Sequence, residues 1–190
     1  MTRIKGFAIR GVLKSVKESG GSIGGLVAAL PEADRAIFDR PIVSSDWYPY
    51  PAFVGLVRAV DRTRGRGDLA HARELGRQAA GRDLGATFRI ISAMTSLKFL
   101  LERGQVFWSK YCDQGRMVVD THEPNTFRGR ILGFPDIDEA HCALIEGWLE
   151  GIGTALGAEG MKTRQVACVR RGDDACEFEG RWLSTRGRLR

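Results

Sequence analysis

The sequence predicts an α+β fold, a helix-rich single domain whose four-stranded antiparallel sheet is covered by helices on one face. Three observations carry that prediction. Apolar residues recur at helical spacing through residues 1–113. From Gly115 the period changes from 3.6 to 2 over two hairpin-like segments, residues 115–134 and 162–182. Between them, residues 138–157 carry the cleanest amphipathic stripe in the chain. Hairpins alternating with one long helix build a sheet with a single covered face. The chain therefore divides into a mainly helical part (1–113), a hairpin-helix-hairpin part (114–182) and a basic tail (183–190), and no linker is polar enough to separate two domains.

Residues 2–9 alternate loosely and fit a short strand or an arm, and Val12, Leu13 and Val16 have helical spacing up to Gly20-Gly21. Ser22 caps a short helix reaching Leu30. Pro31, with Glu32 and Asp34 behind it, opens another, because Pro fits the first helical position and acids suit the first turn. Residues 44–51 form a turn-rich aromatic patch whose two prolines disfavour helix in the residues before them. A helix starting at Pro51 carries Phe53, Leu56, Val57 and Val60 and ends near Arg64-Gly65. Asp68 caps the next, with Leu69, Ala72, Leu75 and Ala79 on one face, and a short one follows over 83–91. Small residues in that pair, Gly76 and Ala80 among them, permit close helix approach. The longest helix is predicted over 95–113, with Leu97, Leu100, Leu101, Gly104, Phe107, Trp108 and Tyr111 on its apolar face.

Residues 115–122 and 127–134 alternate about Glu123-Pro124-Asn125 and read as an antiparallel hairpin. Pro135 to Glu139 is a helix start, and the helix to Gly157 buries His141, Leu144, Ile145, Trp148, Leu149 and Ile152. A second hairpin turns at Arg170-Arg171-Gly172-Asp173-Asp174, where Gly supplies positive φ. The predicted register sets Cys168 opposite Cys176, Val166 opposite Phe178 and Arg164 opposite Gly180. A one-residue slip would bring Val166 and Cys168 against Glu177 and Glu179.

The chain has 190 residues, is 43% hydrophobic and has a net charge of +6 dominated by arginine. Its apolar runs are too short to span a bilayer and there is no signal-peptide core, so a soluble cytoplasmic protein without a membrane span is expected. The basic surface comes with no nucleic-acid-binding signature. There is no phosphate-cradling loop, no His-Glu-x-x-His and no Gly-x-Ser-x-Gly, and three histidines leave little for acid–base work. The chain is expected not to be an enzyme.

Two sets of residues are candidates for a site. Phe88, Phe107, Trp108, Tyr111 and Trp148 fall on apolar helix faces, where aromatics either pack the core or line a small-molecule pocket. Cys142, Cys168 and Cys176 converge if the 138–157 helix packs on the last hairpin. Three thiolates suit zinc, but a fourth ligand and closely spaced Cys pairs are missing, and buried cysteines also simply pack. No cofactor is fixed by these residues; zinc is the one candidate.

The run His141-Cys142-Ala143-Leu144-Ile145-Glu146-Gly147-Trp148-Leu149-Glu150-Gly151, followed by Cys168-x3-Gly172-Asp173-x2-Cys176-x-Phe178, resembles the 4-vinyl-reductase-type small-molecule-binding domain. That domain shares its fold with haem-NO-binding domains and TRAPP tethering subunits. Residues 44–49 and 67–76 resemble an uncharacterised myxobacterial family with the same ending. In the phenol-sensing activators of this kind zinc is held by three cysteines and a glutamate. The resemblance puts Cys142, Cys168 and Cys176 on the cysteine positions and Gln165 on that of the glutamate. The haem-binding relatives use an axial His and a Tyr-x-Ser-x-Arg clasp, and Tyr111-Cys112-Asp113-Gln114-Gly115 departs from that clasp.

The resulting expectation is a non-enzymatic cytoplasmic sensor that takes an apolar small molecule between the 95–113 helix, the 138–157 helix and the sheet. It would be a homodimer and relay ligand state to a protein partner. The alternative is a TRAPP-like interaction subunit with no cavity and a large apolar surface. A reductase role in tetrapyrrole chemistry finds no reductant site in the chain.

Overall fold

The computed structural model describes residues 1–83, 97–121 and 123–185. The predicted 83–91 helix, the start of the 95–113 helix, Phe88, His122 and residues 186–190 lie outside the described residues, Asp83 excepted. Strand β1 (Arg3–Lys5) leads into α1 (Gly6–Glu18), so the N-terminal arm is a three-residue strand and not one reaching residue 9. Then come α2 (Ile23–Ala28), capped as predicted by the Ser22 hydroxyl accepting from Gly25 N, and α3 (Glu32–Arg35). Strand β2 (Trp47–Pro49) pairs antiparallel with β1. Tyr50 and Pro51 then start α4 (Tyr50–Arg64), the proline taking an early position where its missing N–H is harmless.

Helix α5 (Ala70–Asp83) is capped from an unexpected place. Asp61 on α4, 1% exposed, accepts from Leu69 N, His71 N and Ala72 N at 2.9–3.0 Å. Three orphan amides of the helix start are satisfied by one carboxylate. Asp68, the predicted cap, bonds only Ala70 N. The predicted long helix is, among the described residues, two: α6 (Leu97–Leu101) and α7 (Gly104–Tyr111). The break at Arg103 follows from Gly104, where a Cβ would lie 2.8 Å from Val119 Cγ2 on the sheet. The chain must bend there to bring backbone onto the strand.

Strands β3 (Arg116–Asp120), β4 (Thr126–Leu132), β6 (Lys162–Ala167) and β7 (Cys176–Arg181) form one antiparallel sheet in the order β3-β4-β7-β6. Strand β5 (Ala158–Glu159) pairs with β8 (Ser184–Thr185) at its side. Met117, Phe127, Ile131, Cys176 and Phe178 point into the core. The outer face carries Arg128 and Arg164, both ion-paired to Glu179. Phe127 lies opposite Gly180, where a Cβ would overlap its ring, so the glycine makes room for the aromatic.

The predicted register of the last hairpin needs correction. Arg164 pairs with Glu179, Thr163 with Gly180 and Gln165 with Phe178, one residue off the expectation. A bulge between Gln165 and Ala167 absorbs the difference, leaving Val166 38% exposed and turning Cys168 back inward. The Arg164–Glu179 pair at 2.9 Å gains a charge partner that the opposite-glycine register would have denied it.

Helix α8 (Glu139–Ala155) is centred on the sheet, with the Asp138 side chain capping it through Ala140 N. It meets α5 backbone to backbone. A Cβ on Gly147 would overlap the Arg73 carbonyl, and one on Gly76 the Leu144 carbonyl. The small residues of α5 therefore serve α8, not the 83–91 segment for which the sequence reserved them. Arg73 bridges Glu146 and Glu150 at 2.8 and 2.9 Å and donates to Thr163 O, tying α5, α8 and β6 together. No helix among the described residues is long and apolar enough to cross a membrane.

Candidate ligand cavity and cysteine cluster

Four of the five aromatic candidates come together. Phe107, Trp108 and Tyr111 project from α7, and one turn spacing on α8 brings Trp148 to meet them. Their ring centroids stand 5.8 Å (Phe107–Trp148) and 6.3 Å (Tyr111–Trp148) apart. These four, with Met117, His141, Leu144 and Ile145, line a cavity of about 60 Å3. A second of about 50 Å3 lies toward α1, α4 and α5, sharing Tyr111, His141, Leu144 and Trp148. A third of about 20 Å3 runs along α6 and β3, sharing Phe107, Met117 and Trp148. Trp148 is the wall common to all three. Since a water molecule takes about 30 Å3 of liquid volume, each space holds at most a few heavy atoms. Phe88 lies outside the described residues.

The sequence passed over His141 and Tyr50. His141 is 4% exposed, and its Nδ1 stands 3.0 Å from Tyr50 Oη, which also accepts from Asp138 N at 3.0 Å. Burial drives the His141 pKa down to about 4, against a smaller upward pull from Asp138, so the ring is neutral at physiological pH. Burial likewise raises the Tyr50 phenol well above its ordinary value, keeping its proton in place. The available signal was a histidine on the buried stripe of α8, which requires a partner. That partner, 91 positions earlier, has no local pattern.

The three cysteines also converge, all buried, with their sulfur atoms within 4.8 Å of one another. Cys142 Sγ to Cys176 Sγ is 3.5 Å and Cys176 Sγ to Cys168 Sγ is 3.8 Å. Two sulfurs bonded to one tetrahedral zinc at about 2.3 Å stand about 3.8 Å apart, so the spacing accommodates the ion. Gly172, at φ 93°, closes the turn after Cys168, and the Val169 and Arg170 backbone amides face the sulfurs of Cys176 and Cys168. Hydrogen bonding from Cys142, opposed by burial and aided by the Val169 amide, holds Cys176 down to about 6. The same contact and burial push Cys142 up. The cluster thus favours one thiolate, the form that binds metal. The Gln165 amide adjoins Cys142 and Cys168, and its buried Nε2 has no hydrogen-bond partner. The donor set fits zinc, with Gln165 as a neutral fourth group. Cys112 is apart from the cluster, buried beside Ile4.

Comparison with known structures identifies the fold. An H-NOX protein from S. oneidensis in the Fe(II)NO state superposes with a TM-score of 0.72 at 15% identity, over 95% of this chain and 99% of that one. An Fe(II) unliganded H-NOX protein from K. algicida gives 0.69 at 9% identity over 95% and 97%. An oxygen-binding H-NOX domain related to soluble guanylate cyclases gives 0.63 at 13% over 98% of both. The architecture is that of H-NOX domains. Within it, residues 125–181 match the family model of the 4-vinyl reductase domain, the stretch that holds α8 and the cysteine cluster. No curated protein sequence matches the chain, and no comparison supports the expected myxobacterial family.

Haem does not fit the residues present. The space between α7, α8 and the sheet is divided by Phe107, Tyr111 and Trp148 into volumes of 20–60 Å3, with no slot for a porphyrin. His141 is committed to Tyr50 through Nδ1, and His71 sits in the first turn of α5 on Asp61. The Tyr-x-Ser-x-Arg clasp is absent from the sequence at Tyr111.

Proposed function

We propose that this chain is a non-enzymatic sensor module that binds a compact apolar molecule directly, without haem, in the cavities around Trp148. One observation carries the reading: four aromatic side chains from α7 and α8 enclose adjoining apolar spaces in a fold whose neighbours are an Fe(II)NO complex and an oxygen complex. Apolar voids of this kind stay dry and accept apolar guests. Binding, not catalysis, suits a site whose histidine is neutral and tied to Tyr50 and whose cysteines are buried. Zinc on Cys142, Cys168, Cys176 and Gln165 would pin α8 to the last hairpin, a structural role. The four free cysteines agree with a cytoplasmic setting. Helix α8 reaches the cavities, α5 and the sheet, and it supplies the route to a protein partner. A homodimer through exposed Phe99 and Val106 on α6 and α7 belongs to the same reading. The TRAPP-like alternative lacks its signature, since the exposed large apolar residues come from separate segments and not from one patch.

Xenon tests the reading. With 13C-methyl methionine labels, xenon pressure should shift Met117, which lines two of the cavities, and spare Met161, which packs on Gly153. Equal or absent responses at both methyls would sink the cavity.

A further inference from the structure

His141 opens α8 with its ring held between Trp108, stacked at 6.0 Å and 17°, and Phe53, edge-on at 5.4 Å. The state of its two nitrogens follows from Tyr50. The Asp138 backbone N–H donates to Tyr50 Oη at 3.0 Å, so the single hydroxyl hydrogen is left for His141 Nδ1 at 3.0 Å. Nδ1 accepts, and the ring proton therefore sits on Nε2. A second proton on the ring would leave Nε2–H in place, so the donor persists at any pH. Nε2–H has no hydrogen-bond partner among the described residues, although buried polar groups are nearly always paired. The imidazole lines both the 50 and the 60 Å3 cavities, and Tyr50 occupies its Nδ1 edge, leaving the Nε2 edge for an occupant.

We propose that His141 Nε2–H is the polar anchor of the cavity, donating to a single carbonyl or ether oxygen on an otherwise apolar, uncharged ligand. This rests on the cavity reading above and specifies the class of molecule it takes. The absence of charge follows from the 60 Å3 cavity, which no charged side chain among the described residues lines. Arg82, the charged group on the 50 Å3 cavity, bonds Gly11 O instead. Tyr50 is a positioning residue that fixes the tautomer. A site built around a buried donor discriminates against the isostere that lacks the acceptor, because that isostere leaves the donor unpaired.

Acetone and isobutene have the same shape and differ by an oxygen against a methylene. Each is titrated into the full chain, with the Met117 methyl reporting occupancy. The preference for acetone over isobutene is expected to fall about tenfold in His141→Phe. Should that variant fail to fold, the native chain answers: with 15N-labelled histidine, the Nε2–H proton moves downfield with acetone and stays with isobutene. If both probes shift Met117 but the ratio is unchanged in His141→Phe, or the Nε2–H signal ignores both, the anchor is overturned while the cavity stands. If neither probe reaches Met117, the cavity reading falls and the anchor with it.

Discussion

Replacing Tyr50 by Phe removes one oxygen and leaves the ring, which is 2% exposed and packs edge-on against Phe134 at 5.0 Å. The void created is therefore smaller than a methyl group, and the hydrophobic contribution of the side chain is retained. What is lost is the junction of two hydrogen bonds: Asp138 N–H loses its acceptor and His141 Nδ1 its donor. A buried polar group left unpaired costs about 1–3 kcal/mol, so the two together should cost about 2–4 kcal/mol. Against a domain stability of about 5–15 kcal/mol this is a large fraction. It corresponds to a fall in Tm of roughly 5–15 °C for a chain of this size. Urea unfolding followed by tryptophan fluorescence should show a lower midpoint with an unchanged slope. In the double variant Tyr50→Phe with His141→Phe, the second change removes the orphaned nitrogen, so the combined loss should fall short of the sum of the two. A Tyr50→Phe loss under about 0.5 kcal/mol, or strict additivity in the double variant, would refute the account, since either means the hydroxyl holds nothing in place.

Two glycines should respond with opposite signs. Gly147→Ala forces a Cβ into the Arg73 carbonyl and must separate α5 from α8, whereas Gly81→Ala meets nothing within 4 Å and should gain up to about 1 kcal/mol of helix propensity; thermal melts decide. Trp148→Ala joins the three cavities and adds the indole volume, passing the roughly 150 Å3 at which an apolar void takes benzene. Benzene should then raise the Tm of that variant and leave the parent unmoved. Native mass spectrometry should find one zinc per chain, lost in Cys168→Ser and held more tightly in Gln165→Glu, which restores a charged ligand; a metal-free parent makes the cysteines packing residues. Burial pushes the Glu150 carboxyl up, but hydrogen bonds from Arg77 and Arg73 outweigh it and leave the group below its ordinary range. A carboxylate so depressed contributes stability above its unfolded value of about 4.3 and loses it as pH falls through the lower folded value. Acid unfolding below about pH 4.3 should accordingly be shallower in Glu150→Gln than in the parent.

Local periodicity carried most of the architecture. The alternation at Met117, Val119, Phe127 and Ile131 fixes which face of the sheet is buried, and the α8 stripe fixes which face of that helix meets it. The convergence of Cys142, Cys168 and Cys176 follows from those two facts, and for that reason it was legible. The register of the last hairpin was not, because a bulge at Val166 adds a residue that no pattern announces. The cap at Asp61 and the bond from Tyr50 to His141 were hidden for another reason. Each joins positions that only the tertiary fold brings together, and neither residue type is unusual where it stands. The small residues of α5 told of close approach but not of its partner, since Gly147 and Gly151 offer an equally bare surface far along the chain.

Helix α8 is committed on every side. His141, Leu144 and Trp148 face the cavities, Cys142 the sulfur cluster, Gly147 and Gly151 the backbone of α5, and Glu146 and Glu150 the arginines of α5. Two helices in backbone contact, clamped by three charge pairs, move as one body if they move at all. The opposite wall is built differently. Helices α6 and α7 have five and eight residues, break at Arg103, and rest on β3 through Gly104 and the Gln105 side chain bonded to Met117 N. A guest that enlarges the space beside Trp148 meets less resistance from that wall than from α8. The displacement a partner reads should therefore appear on the outer surface of α6 and α7, where Phe99 and Val106 are exposed, and not on α8 or α5.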